Sequence, residues 1–470
     1  TYIYKLGDPV MRRFLLRHAL LPDGWHDNVL VEAGEDGTIA SVAPDQPAAD
    51  GAERLNGPVL PGLPNLHSHA FQRAMAGLAE RSGPGQDSFW TWRETMYGFA
   101  GKLAPTDIEA IATQLYAEML QAGYTAVAEF HYLHHQADGQ PYGDAAELSW
   151  RILSAAEASG IGLTHLPVLY RYGGFGERAP QERQRRFLHD ADAYHRLLQS
   201  LAPAFKGRAD RRLGIAPHSL RAVSPALLRD AVAMLNDIDA AAPIHIHIAE
   251  QTAEVDDCIQ WSGQRPVQWL LAQGLIDVRW CLVHATHLTA EETSALAASG
   301  AVAGLCPSTE ANLGDGLFPA IDYLAQKGRI GVGSDSHICI DAAEELRLLE
   351  YGQRLVHRGR NLLAGEPNYS TGRRLFDLAC QGGAQALGLK IGAIAPGFRA
   401  DFVLLDAQAP VLAGKRGDAV LDSWIFAAQP VSPVRDVYVG GKRVVEAGRH
   451  IHADRFAAAY RETLRRLTEE

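Results

Sequence analysis

The chain has 470 residues, 47% of them hydrophobic and 21% charged, and carries a formal net charge of -11 at pH 7. Such a length offers room for about two to four domains of ~150 residues or for one α/β barrel of ~250 or more, while the negative field excludes nonspecific affinity for nucleic acid or an anionic membrane. The five cysteines, Cys258, Cys281, Cys306, Cys339 and Cys380, are scattered without a Cys-x-x-Cys pair, which fits free thiols in a reducing cytoplasm rather than a disulfide framework or a thiolate zinc site.

No apolar run approaches the ~20 residues of a membrane span, and no signal-type segment leads the chain. A cytoplasmic location is expected. Residues 1–10, ahead of Met11, are expected to be an extraneous leader with no part in the fold. From Arg13 to Pro58, short apolar runs such as Asn28 to Glu32 and Thr38 to Val42 alternate with turns such as Pro22-Asp23-Gly24 and Asp50-Gly51. These read as short antiparallel strands.

After Pro61 the pattern becomes one of apolar, β-branched runs separated by amphipathic helices. Eight runs are expected as strands: Leu60 to His69, Thr125 to Tyr132, Gly162 to Tyr170, Leu213 to Ser219, Pro243 to Ala249, Trp280 to Ala285, Ala301 to Cys306, and Ile330 to Asp335. Between them, Pro105 to Ala122 carries an apolar stripe of Ile108, Ile111, Leu115 and Met119. Eight parallel strands with crossovers predict a closed barrel. An open doubly wound sheet would want a glycine-rich phosphate turn after its first strand, and none is present.

A helix is expected from Ser370 to Gly388, then strands at Phe402 to Leu405 and in a hairpin around Gly440-Gly441, and a last helix from Asp454, as N-cap, to Leu467. The fold class expected is α/β: a (β/α)8 TIM-like barrel over residues 59–395, flanked by a small β-sandwich domain built from both termini, 11–58 and 396–470.

Barrels of this kind carry their chemistry at the C-terminal ends of the strands. There the sequence places His67 and His69, His131 and Tyr132, His218 and Arg221, His247 and Glu250, His284 and His287, Glu310 and Asn312, and Asp335. His67 and His69, two apart on a strand, face the same way and can reach one point. They suit a metal, although a lone His-x-His is also compatible with partly buried histidines. The concentration of polar groups on successive strand ends points to a functional site.

Pro61 to His69 (PGLPNLHSH), His245 to Glu250 (HIHIAE), Leu282 to His287 (LVHATH) and Gly333 to His337 (GSDSH) resemble the amidohydrolase superfamily. Phe71-Gln72-Arg73, Ser88 to Glu94, Ala128 to Tyr132, His218 to Arg221 and Ser308 to Asp315 are similar, more narrowly, to the formimidoylglutamate deiminases of histidine catabolism.

The resemblance implies that His67, His69, His247 and Asp335 bind one divalent metal per chain, with zinc expected from this set of N and O donors. Many binuclear members carry a lysine at the end of strand four. Here Leu213 to Ser219 has none, so a mononuclear site is expected. Glu250 is then the proton shuttle, His284 orients the nucleophile or polarises the substrate nitrogen, and Asp335 accepts the water's proton as well as binding metal.

The implied substrate, N-formimino-L-glutamate, has two carboxylates, for which Arg93 and Arg221 are suited as bidentate partners. Gln72, Tyr132 and His218 are implied to hold its glutamate part, and the family suggests a homodimer. For Arg93 a surface arginine stacked on a ring is the plain alternative. His245 is expected in the core below His247, His134 and His135 in a loop, and His287 and His337 as supporting or solvated. The rival functions are deamination of a purine, pyrimidine or triazine ring, which has little use for two arginines, and a metal-free barrel that only binds.

Overall fold

The computed structural model describes residues 11–81, 89–366, 369–428 and 431–469. The expected leader at 1–10 and Ser88 lie outside the described residues. The chain begins with β1 (Arg12–Leu21), β2 (Gly24–Ala33), β3 (Ile39–Ala43) and β4 (Glu53–Pro61), then enters the barrel with β5 (Leu63–Ser68) and β6 (Tyr124–His131). There follow β7 (Gly162–Leu169), β8 (Arg211–Leu213), β9 (Ala216–Pro217), β10 (Ile244–Ile248), β11 (Trp280–His284), β12 (Val302–Leu305) and β13 (Arg329–Val332). The last strands are β14 (Phe402–Leu405), β15 (Val434–Val439), β16 (Lys442–Glu446) and β17 (Arg449–His450).

The barrel strands pair in parallel as β5-β6-β7-β8 and β10-β11-β12-β13, with β9 also against β7. Parallel bridges Ile215 to Ile244 and Ser68 to Asp335 join the two arcs into a ring. Strand four is broken between β8 and β9 at Gly214, where a Cβ would lie 2.4 Å from the Pro243 carbonyl oxygen. The helix Pro105–Gln121 buries Ile108, Ile111, Leu115 and Met119, the stripe read from the sequence.

The flanking sheet has eight strands in the order β17-β16-β15-β14-β4-β1-β2-β3. Its seam is β4 against β14, antiparallel, with Leu60 opposite Val403. Phe14, Leu16, Val29, Val31, Phe402 and Tyr438 form a core of its own. Both Gly440 (φ 55°) and Gly441 (φ 70°) take the left-handed conformation that a tight hairpin turn requires.

Two expectations need correction. The run Leu60 to His69 is not one barrel strand: it divides at Gly62, where a Cβ would sit 2.2 Å from Thr125 Oγ1, so Leu60 pairs in the flanking sheet and only Leu63 onward joins the barrel. Continuous apolar character conceals such a change of sheet. The last helix runs Ala453–Glu469, which places Asp454 in its first turn rather than at the N-cap; there it receives Arg449 Nη2 at 2.8 Å.

Candidate active site and metal centre

Three imidazoles converge at the C-terminal mouth of the barrel. The Nε2 atoms of His67 and His69 are 3.2 Å apart, those of His69 and His247 3.3 Å, and those of His247 and His67 3.1 Å. Asp335 Oδ1 lies 3.5 Å from His67 Nε2 and 3.3 Å from His69 Nε2. Nitrogens each ~2.0–2.1 Å from one tetrahedral ion are about 3.3–3.4 Å apart, which these separations nearly match.

The outer nitrogens of two of the rings fix their tautomers. His69 Nδ1 is 2.9 Å from the Phe130 carbonyl oxygen and His247 Nδ1 3.1 Å from that of His218. An Nδ1–H given to a carbonyl leaves a lone pair on Nε2. Burial, reinforced by the neighbouring rings, holds His67 and His247 well below the ordinary imidazole range, and burial also lowers His69 although Asp335 opposes it. Neutral rings with lone pairs aimed at one another and at a carboxylate repel, so the donor set fits a divalent cation between them.

The backbone is contorted to make this convergence. Ala249 (φ 51°), His284 (φ 68°), Ala285 (φ 46°) and Asp335 (φ 45°) all occupy the left-handed region, sparsely used by residues other than glycine. Beneath the mouth, Glu129 accepts Ser68 Oγ–H at 2.5 Å, the Ala70 N–H at 2.7 Å and Tyr116 Oη–H at 3.1 Å. That network fixes the backbone on either side of His69. Burial pushes the Glu129 carboxyl up to about 7, against these three hydrogen bonds.

Beside the histidines, His284 Nε2 lies 3.7 Å from both Glu250 Oε1 and Asp335 Oδ2. Its Nδ1 is 3.3 Å from Glu310 Oε1. Burial opposes the imidazolium, yet Glu250, Glu310 and Asp335 together raise His284 well above its ordinary value. Glu250 is pushed up to about 7 by burial, with Asp335 and Glu254 adding to the rise and His284 and Arg221 opposing it. Among the described residues, His284, Cys306 and Glu310 form a second group of neighbouring donor atoms.

Gln72, Arg93, Tyr132, His218 and Arg221 all line the cleft above this centre, together with His69, His247, Glu250, His284 and Asp335. His67 lies below it, fully buried. The Arg93 guanidinium sits over the Tyr97 ring, 5.4 Å from its centroid, so the stacked arrangement and a place on the cleft wall hold together. Burial works against the Arg221 charge, but Glu254, Tyr170 and Glu250 keep its pKa above the usual value.

The other histidines distribute as follows. His245 is fully buried, its Nε2 2.8 Å from the Ala386 carbonyl oxygen, one layer below His247. His134 is in a loop yet buried, and His135 follows it, half-buried. His337 is buried rather than solvated, between Ser68 Oγ at 3.1 Å and Ser334 Oγ at 3.0 Å. Asn312 leaves the cleft: its amide donates to Glu80 at 2.7 Å.

Sequence reasoning missed Tyr97, Tyr170 and Phe187 on the cleft wall. Tyr170 directly follows β7 and could have been found from its position. Phe187 ends a short 3-10 helix, Glu182–Phe187, well after that strand and has no local signal.

The pattern described as the amidohydrolase family matches residues 59–444, and that of the formimidoylglutamate deiminase HutF N-terminal domain matches residues 15–57. The chain is 56% identical to a formimidoylglutamate deiminase of Pseudomonas aeruginosa over 98% of its own length and 100% of the relative's. It is 30% identical to a 5-methylthioadenosine/S-adenosylhomocysteine deaminase of Nitratidesulfovibrio vulgaris over 89% of this chain and 88% of that one. A crystal structure of an amidohydrolase from Brucella melitensis superposes with a TM-score of 0.92 at 49% identity, covering 97% of this chain and 99% of that one. The chain belongs to the amidohydrolase family, on its formimidoylglutamate deiminase branch.

Proposed function

We infer that this chain hydrolyses N-formimino-L-glutamate to N-formyl-L-glutamate and ammonia, a step of histidine degradation, with zinc as the one metal held by His67, His69, His247 and Asp335. The observation that carries the reading is one cleft that joins the convergent histidines, the Glu250, His284 and Asp335 group and two arginines. When bound, the ion supplies the Lewis acidity that brings the pKa of a water towards neutrality.

Arg93 and Arg221 receive the two carboxylates of the substrate, while Gln72, Tyr132 and His218 orient its glutamate backbone. That leaves the amidine over the carboxylates. Asp335 and Glu250 accept the two protons of the water as its oxygen adds to the amidine carbon, and both protons are passed on through Glu250 to the terminal nitrogen. The C–N bond then breaks, ammonia leaves, and the added oxygen becomes the formyl carbonyl. A carboxyl poised near pH 7 suits both halves of that exchange. His284 stabilises the intermediate from the side where Glu250 and Asp335 meet.

The test is ammonia release by zinc-loaded protein from N-formimino-L-glutamate beside guanine, adenosine and cytosine, repeated with Glu250→Gln. Turnover of the amidine alone, abolished by the substitution, is expected. Deamination of a ring instead would keep the metal centre and overturn the role given to the arginines. The homodimer belongs to the same proposal, and light scattering decides it.

A further inference from the structure

The reading above leaves Glu310 without a task, although it is buried beside His284. It lies in the short helix Pro307–Leu313 that follows β12. Its Oε1 does two things at once: it accepts the backbone N–H of Cys306 at 2.8 Å and faces His284 Nδ1 at 3.3 Å. The first bond closes the start of its own helix. The second reaches across to the end of β11.

We propose that Glu310 is a positioning residue for the reaction, holding the His284 ring by accepting its Nδ1–H so that Nε2 is presented to Glu250 and Asp335. This rests on the functional reading given above and adds the group that orients His284. The helix-closing bond is what aims the acceptor. Because the same oxygen takes both hydrogens, the Cys306 N–H fixes where Oε1 sits before the imidazole uses it.

His284 needs such a hold. Its backbone is left-handed (φ 68°), and its ring stands between carboxylates on both sides, Glu310 at Nδ1 and Glu250 with Asp335 at Nε2. Without a partner at Nδ1 the ring could rotate, and Nε2 would lose its place. A group that orients a ring in this way typically contributes about 10–100-fold to the function that the ring serves.

A helix cap with no catalytic consequence is the competing account, and it predicts different data. The experiment compares wild type, Glu310→Ala and Glu310→Gln, all zinc-loaded, for kcat and KM with N-formimino-L-glutamate, zinc per chain, and 15N NMR of the imidazoles, with His284 assigned from His284→Asn. In Glu310→Gln the Cys306 N–H still selects the carbonyl oxygen, so the acceptor survives.

Glu310→Ala is expected to lower kcat about 10–100-fold with KM within about twofold and zinc retained, and to shift the His284 Nδ1 resonance. Glu310→Gln is expected to restore kcat to within about threefold of wild type and to leave that resonance in place. Unchanged kcat in Glu310→Ala, a loss that appears in KM or zinc content, or a Glu310→Gln variant no better than alanine would each overturn the proposal. Should the alanine variant fail to fold, the wild-type spectrum decides, since an unprotonated His284 Nδ1 contradicts the bond. Wild type inactive on the amidine would sink the functional reading instead, and the NMR comparison would still stand.

Discussion

Gln72 Nε2 donates to the Tyr132 phenol oxygen at 2.6 Å, and both side chains are buried. The amide's other end, Oε1, is buried with no hydrogen-bond partner. The pair therefore presents an acceptor beside the cleft whose position depends on the phenol. Tyr132→Phe leaves the Gln72 donor unpaired, at a penalty of ~1–3 kcal/mol, and about a tenfold rise in KM for N-formimino-L-glutamate is expected. Steady-state kinetics check it: a fall in kcat with KM unchanged would contradict a binding role.

Arg221 stands on the cleft wall with His218 and Glu250. Arg221→Met keeps most of the stem but removes the fork that a carboxylate engages. KM is expected to rise at least tenfold with zinc still at one per chain. Loss of zinc with affinity unchanged, measured by metal analysis beside kinetics, would redraw the map of the site.

Removing the metal leaves three lone pairs and a carboxylate facing one another across about 3 Å. Chelation is expected to abolish turnover and also to lower the thermal unfolding midpoint, because a cation bound only by the folded state stabilises it. One equivalent of zinc should restore both. His69→Ala should prevent that recovery, which calorimetry with and without added zinc reads directly.

A separate group of histidines governs acid stability. His131 and His189 are both buried, and burial lowers each to about 3, against ~6.5 in the unfolded chain. Below pH 6.5 the unfolded state takes up protons that the folded state refuses, so their contribution is complete above that pH and is lost as the pH falls towards 3. Unfolding free energy followed across this window should decline with a slope that His189→Leu reduces by about 1.4 kcal/mol per pH unit for the one proton removed. An unchanged slope would show that His189 titrates alike in both states.

The barrel was legible because its eight strands are apolar runs set between amphipathic helices, and the site because His67, His69, His247, Glu250, His284 and Asp335 sit where those runs end. What stayed hidden depends on chain segments far apart in sequence. Glu129 reads as one polar residue in the apolar run before His131, and only the fold brings it to Ser68, 61 residues away, and to Tyr116. Glu310 was visible as a strand-end carboxylate, but its meeting with His284 across 26 residues was not. Phe187 enters the cleft from the end of a single short 3-10 helix, too brief for any periodicity to mark an inward position. The change of sheet at Gly62 escaped notice because an apolar run looks the same whichever sheet it joins.

The seam between β4 and β14 has a consequence for how the chain is made. Residues 59–61 pair with residues 402–404, so a ribosome that has released the first four strands must still deliver about 340 residues before that edge finds its partner. At synthesis speeds of about 5–20 residues per second, the β4 edge stays open for roughly 17 to 70 seconds, with unpaired N–H and C=O groups able to recruit a foreign strand. The barrel segments emerge during that interval, so the active-site scaffold can take shape first and the flanking sheet is zipped last.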